Sequence, residues 1–264
     1  MHLTFADTSK HGSLASRLRR ARLEQFIALL PTSGAVRILD IGGTVSFWET
    51  LSDGVPDRIS ITVLNQELET AVNLESQAVR STSVTIRCVT GDARHLSEFG
   101  DGHFDYCFSN SVIEHVGTLA DQQAMAKEVR RVAGGYFIQT PYRYFPLEPH
   151  FHIPLWAQMP VWLRTALHQK LNLGWMPAQP DYLTARSNVE QIRLLSIREL
   201  RYLFPDADLR LERLGGLVKS IVAVRHAVPG QREALAETFS VDVDKPSRLS
   251  LPGRAGARLW RRSS

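Results

Sequence analysis

Short apolar runs alternate with longer amphipathic stretches through the first half of the chain. The runs at 36–41, 59–64, 84–89, 104–109 and 136–139 are rich in Val, Ile, Leu and Phe. They predict short strands buried in a parallel sheet. Residues 68–79 and 120–132 read as helices between them. Ahead of the first run, 13–30 reads as an amphipathic helix: Leu14, Leu18, Phe26 and Leu30 recur at helical spacing among arginines, until Pro31-Thr32-Ser33-Gly34 breaks the pattern. Strands and helices in this rhythm predict a doubly wound α/β sheet.

The rhythm stops at Pro141. Residues 142–181 are dense in proline and aromatics, Trp156, Trp162 and Trp175 among them, and are too apolar for a flexible linker. They predict an inserted lid, taken here as 142–195. The helical pattern resumes at 196–203, where Ser196 and Glu199 have the spacing of a capping box. Two closing strands are expected at 207–214 and 220–226, on either side of Gly215-Gly216. Residues 1–229 thus read as one domain carrying the lid, with a short helix beyond Pro229 and a mobile tail over 230–264.

Composition changes this picture little. A chain of 264 residues with 44% hydrophobic content can bury one substantial core. The net charge of +4 is concentrated in the tail, where Lys245, Arg248, Arg254, Arg258, Arg261 and Arg262 meet no acid. The charge therefore describes a tail rather than a binding stripe, and no nucleic-acid partner is expected. Cys88 and Cys107 lie in apolar runs and form no CxxC pair, so they read as buried thiols of a reducing cytoplasm. Neither a signal peptide nor an apolar run of the roughly 18 residues that span a bilayer is recognisable.

The sharpest local signal is Ile38-Leu39-Asp40-Ile41-Gly42-Gly43-Thr44. A strand ends, glycines permit a tight turn, and a helix is expected to begin near Phe47. Such a turn brings backbone close to a ligand beneath a helix N-terminus. It is not the GxGxxG cradle that a pyrophosphate requires. Three more polar clusters follow at strand ends: Asn65-Gln66-Glu67, Gly91-Asp92-Ala93-Arg94, and Asn110-Ser111 running into Glu114-His115-Val116. Four clusters at the carboxyl ends of four strands line the crevice in which open α/β sheets bind ligands.

The order of these segments, from Val36 to Gln139, resembles the class I S-adenosylmethionine-dependent methyltransferases, in particular the group with an Glu-His-Val segment after the fourth strand. The resemblance implies a Rossmann-like, mostly parallel seven-stranded sheet with an antiparallel last strand, and S-adenosylmethionine as cofactor. It implies that Gly42 and Gly43 pass beneath the amino-acid part of the cofactor, with Asp40 orienting the turn or the ammonium. Asn65 stands where the family usually has a ribose-binding acid, and Glu67 is its alternative. Asp92 and Ala93 would meet the adenine, and Asn110 the methyl donor. The chain departs from the family in Asn65 and in the missing third glycine.

His115, just beyond the fourth strand, is the candidate catalytic base; a structural pairing of Glu114-His115 with nearby backbone is the competing account. Arg143 could hold a phosphate or carboxylate of the acceptor. Glu148, His150 and His152 share an extended segment but lack a third ligand of clear placement, so no metal is expected. The apolar residues around Trp156 and Trp162, with the basic tail, suggest peripheral contact with an anionic membrane. The expected acceptor is a small molecule, a glycan or a lipid-linked precursor. A nicotinamide oxidoreductase and a non-catalytic binding module of the same fold are the alternatives; the sequence says nothing of oligomeric state.

Overall fold

The computed structural model describes residues 14–49, 58–66, 79–81, 84–148, 150–174 and 176–227. Residues 68–78 of the helix expected at 68–79, the ribose-site alternative Glu67, the helix beyond Pro229 and the basic tail lie outside the described residues, and Val79 is extended rather than helical.

All five early strands form, as β1 (Val36–Ile41), β2 (Ile59–Asn65), β4 (Val84–Thr90), β5 (Phe104–Asn110) and β6 (Ala133–Pro141). β7 (Asp208–Leu214) and β8 (Leu217–Arg225) close the sheet, and the three-residue β3 (Val79–Ser81) adds an edge. The order is β3-β4-β2-β1-β5-β6-β8-β7. β4, β2, β1, β5 and β6 are parallel, whereas β8 runs antiparallel to both β6 and β7. The seven expected strands and the antiparallel last strand are therefore present. β3, antiparallel to β4, is the addition.

Alternation along each strand divides the core between two faces. On one face Leu39, Ile41, Cys107, Tyr136 and Ile138 pack with Met125 and Val129 of α3 (Leu119–Val132) and Leu200 and Leu203 of α6 (Ile197–Leu203). On the other, Ile38, Ile61, Val63, Phe108 and Phe137 pack with Leu23 and Phe26 of α1 (Leu14–Ile27) and Trp48 of α2 (Val45–Glu49). The result is a three-layer α/β sandwich. Both cysteines are free; Cys107 is buried and Cys88 half-buried.

Two boundaries differ from the sequence expectation for reasons of packing. β6 begins directly at the end of α3, where Ala133 is already extended and its N–H closes on Val129 O. Gly135 lies inside it, and a Cβ there would approach Tyr106 Cε1 to 2.5 Å and Ala227 N to 2.7 Å. The glycine is what lets the end of β8 come so close. β8 begins three residues early because Gly215 and Gly216, at φ +57° and +83°, make a two-residue hairpin turn with both central residues left-handed.

The insert after β6 has its own small core. Phe151 stacks on Trp156 at 4.4 Å, and Leu173 and Val189 close around them. It carries α4 (Val161–Lys170) and α5 (Tyr182–Glu190). Its base is drawn shut: Tyr142 pairs with Leu195, and Arg143 N–H donates to Leu195 O at 3.0 Å. The excursion thus leaves and returns at one point on the carboxyl edge of the sheet.

Candidate active site

The turn after β1 is built around a buried acid. Asp40 is 1% exposed, and the Trp48 indole of α2 donates to its Oδ2 at 2.6 Å. Gly43 passes against this carboxylate so closely that a Cβ would fall 1.7 Å from Oδ2. Gly42 has φ +74°, and a Cβ there would meet Val112 Cγ2 at 2.5 Å. Side chains are therefore excluded by contact at both glycines and by backbone strain at Gly42. Burial, opposed by the Trp48 hydrogen bond, pushes the Asp40 carboxyl up to about 7.

Asn65, at the end of β2, donates from Nδ2 to Gly43 O at 2.9 Å, and its own carbonyl accepts from Gly91 N–H at 2.9 Å. It ties the β1 turn to the β4 turn. Asp92 is clamped by Arg94, whose Nε and backbone N–H both donate to Oδ1, and Arg94 reaches on to Asp121 of α3. The Arg94 hydrogen bonds hold the Asp92 carboxyl below its ordinary range. Ala93 beside it is 5% exposed. The structure therefore places Asp40, Gly42, Gly43, Asn65, Asp92 and Ala93 on adjoining turns at the carboxyl ends of β1, β2 and β4.

Asn110 ends β5, and its Oδ1 accepts from Arg22 of α1 at 2.9 Å. Arg22 also holds Glu212 of β7 through Nε at 3.0 Å and bonds Ser220 Oγ. Both partners of this ion pair are buried. In an amphipathic helix Arg22 reads as a solvated charge, and no pattern in the sequence marks it as the clamp between α1 and the far edge of the sheet. Trp48 escaped the sequence reading in the same way, as an ordinary apolar helix residue.

Beyond β5 the chain makes a single 3-10 turn, Ile113–His115, that buries Glu114 completely. Thr140, near the end of β6, donates to Glu114 Oε2 at 2.9 Å. The Glu114 carbonyl accepts from Arg193 N–H at 2.8 Å, and Gln122 Nε2 donates to both Ile113 O and Arg193 O. The returning end of the lid is thereby stitched to this turn. The His115 ring lies edge-to-face with His150 of the lid, centroids 4.9 Å apart. Glu148 fixes His150 by taking Nδ1 at 2.5 Å, while its other oxygen accepts the N–H groups of His150 and Phe151. His152 is exposed, with φ +55° and its N–H donating to Glu148 O at 3.0 Å.

Electrostatics sort these groups. Burial, with the neighbouring His150, pushes the His115 imidazole down to about 3. Burial pushes the Glu114 carboxyl up to about 6, against the opposing charge of His150. His150 is pulled down by burial, but Glu148 and Glu114 outweigh this and leave it above its ordinary value. Next to Glu148 a pocket of about 140 Å³ opens within the insert, lined by Arg143, Trp156, Arg164, Ile192, Arg193 and Leu194 among others.

A buried acid under a two-glycine turn at the carboxyl end of the first strand lies at the edge where open α/β sheets bind ligands. Residues 39–138, running from β1 through β6, match the family model of a methyltransferase domain. Among solved structures the chain is similar to the N-terminal domain of EvdMO1 with SAH bound, at 20% identity over 83% of this chain and 86% of that one, with a TM-score of 0.51. It is also similar to a SAM-dependent methyltransferase from Methanosarcina mazei, at 17% identity over 76% of this chain and 95% of that one, with a TM-score of 0.49. No curated protein matches. The family model covers less than half of the chain, and the likeness to the EvdMO1 domain is one of fold. The residues at this edge fit S-adenosylmethionine in one respect: Asp40 is a buried carboxylate without a cationic side chain paired to it among the described residues, which the ammonium of a methionyl group would meet.

Proposed function

We propose that the protein methylates a small-molecule acceptor that carries an anionic group such as a phosphate or carboxylate. The bound cofactor supplies a methyl group on a sulfonium, and in-line displacement chiefly requires that nucleophile and methyl be held together. Asp40, Gly42, Gly43, Asn65, Asp92 and Ala93 hold the cofactor side. Asn110, fixed by Arg22, borders the donor at the end of β5. The lid covers the acceptor side and excludes water.

The observation that carries this reading is the arginine lining of the lid pocket. Arg143, Arg164 and Arg193 converge there, and Arg164 Nε is buried with no hydrogen-bond partner among the described residues. Arg193 is already engaged by Glu199 and Gln122. An acceptor anion would satisfy the Arg164 donor. His115 stands on the acceptor side of the sheet edge. With its imidazole held near 3 it is neutral at physiological pH and, acting alone, a weak acceptor for the proton a hydroxyl must lose. The test is formation of S-adenosylhomocysteine with phosphorylated or carboxylated acceptors against their neutral counterparts. Arg164→Ala should raise KM for the anionic acceptor by roughly 10- to 100-fold, the value of a charge-assisted hydrogen bond. Equal turnover of neutral acceptors by the wild-type protein counts against the reading.

A second reading has its own observation. The lid exposes Leu155, Trp162, Tyr182 and Leu183, from 52% to 74%. Such a surface suits peripheral contact with a membrane carrying a lipid-linked acceptor. Among the described residues no helix is long and apolar enough to cross a membrane. Co-sedimentation with anionic vesicles that is lost in Trp162→Ser with Leu183→Ser supports this reading; soluble protein at all vesicle concentrations removes it.

A further inference from the structure

We propose that Glu114, His115 and His150 form a binding site for one divalent transition-metal ion of the Zn²⁺ class, with Glu148 as the outer carboxylate that orients His150.

Each of the three side chains offers a donor atom, and all three atoms lie within 4.8 Å of one another. Two imidazoles and one carboxylate are a ligand set suited to Zn²⁺ and to neighbouring divalent ions. A tetrahedral ion at about 2.0–2.1 Å from each donor draws them to about 3.4 Å apart, so the side chains close by no more than about 1.4 Å.

Two independent features point to an ion. Glu114 is fully buried; Thr140 occupies Oε2, and Oε1 is buried with no hydrogen-bond partner among the described residues. The cations that act on it are His150 and Arg22, and neither hydrogen-bonds Oε1. A buried carboxylate oxygen so placed is costly unless a cation meets it. The second feature is Glu148. It is 3% exposed, and it takes His150 Nδ1 at 2.5 Å while two backbone N–H groups hold its other oxygen. That directs Nε2 of His150 away from Glu148. Carboxylate-to-histidine pairing of this kind is the usual outer layer of a metal site.

Three protein ligands leave a fourth position for water or an acceptor oxygen, as in catalytic rather than structural zinc sites. Glu148 also lines the arginine pocket, so the ion would sit beside the group proposed to hold the acceptor. This last connection rests on the methyltransferase reading; the ion's binding does not.

The test uses the full-length, untagged protein, stripped with chelator and titrated with Zn²⁺ by calorimetry, with metal content measured after dialysis. Co²⁺ substitution reports geometry through its visible bands. One equivalent of Zn²⁺ and the intense spectrum of four-coordinate Co²⁺ are expected. Glu148→Gln should keep the stoichiometry and weaken affinity roughly 10- to 100-fold. The double variant His115→Ala with His150→Ala should lose the ion, and His95→Ala, an exposed histidine elsewhere, should keep it. Circular dichroism confirms that each variant is folded. A wild-type protein that retains no ion, or a folded double variant that binds as tightly as wild type, overturns the proposal. Titration with S-adenosylhomocysteine is run separately, so that loss of the metal claim and loss of the methyltransferase reading are distinguishable.

Discussion

The two sides of the crevice are built differently. On the side proposed to hold the cofactor, each contributing residue sits within a few positions of a strand end, and each turn is one short contiguous segment. Asp40, Gly42, Gly43 and Trp48 all belong to one strand-turn-helix unit. On the acceptor side, Glu114, Thr140, His150 and Arg193 come from four separate segments and meet only because the lid closes back on the 3-10 turn. The first side tolerates little because backbone passes against side chain. The second depends on partners that can be removed one at a time.

That contrast predicts how each side breaks. Gly42→Val should abolish binding of S-adenosylhomocysteine, because its side chain would clash with Val112 at a left-handed φ; calorimetry on a variant shown to be folded by circular dichroism checks it. Asp40→Ala should do the same through loss of the buried charge. Unchanged affinity in either folded variant would remove the cofactor assignment. His115→Ala should separate the two sides: turnover falls by up to about 100-fold, less than the loss of an efficient general base, while cofactor affinity stays. A fully active His115→Ala protein would return this residue to a purely structural role.

Weaker effects should come from the frame. Arg22→Ala leaves Glu212 buried and unpaired, and should cost about 3–5 kcal/mol in denaturant unfolding. The double variant Arg22→Met with Glu212→Leu should recover most of it. A loss no greater than that of an exposed pair would mean that α1 is not anchored there. The smallest effect is a pH dependence. Asp40 ionises near its ordinary value when unfolded and only at about 7 when folded, so its contribution is full below about pH 4 and is lost as pH rises to about 7. The melting temperature of the cofactor-free wild type should therefore fall relative to Asp40→Asn by a few degrees across that window. Parallel melting curves from pH 4 to 7 would mean that the carboxylate is better solvated than its burial implies.

Much of the fold was legible because it is written locally. The apolar runs at β1, β2, β4 and β5 are continuous, and Gly42-Gly43 and Gly215-Gly216 mark turns that need left-handed backbone. The capping box of Ser196 and Glu199 forms as its spacing suggests, with both reciprocal hydrogen bonds in place. The early start of β6 was missed because a glycine pair reads as a break, whereas here Gly135 serves a close contact with β8. On the acceptor side, Glu148, His150 and His152 share one extended segment, but the companions of His150 lie beyond β5, in Glu114 and His115.

By itself the sequence determined the alternation of strand and helix, the order of the clusters at the strand ends and the glycine turn over Asp40. These depend on hydrophobic periodicity and on backbone freedom within a few residues. Only the tertiary structure decided that Trp48 bonds Asp40, that Arg22 clamps Glu212 across the sheet, and that the lid sets His150 against Glu114 and His115. Those meetings depend on how distant segments pack and close. No local pattern encodes them, because burial and pairing of a charged side chain are properties of its neighbours rather than of its own position in the chain.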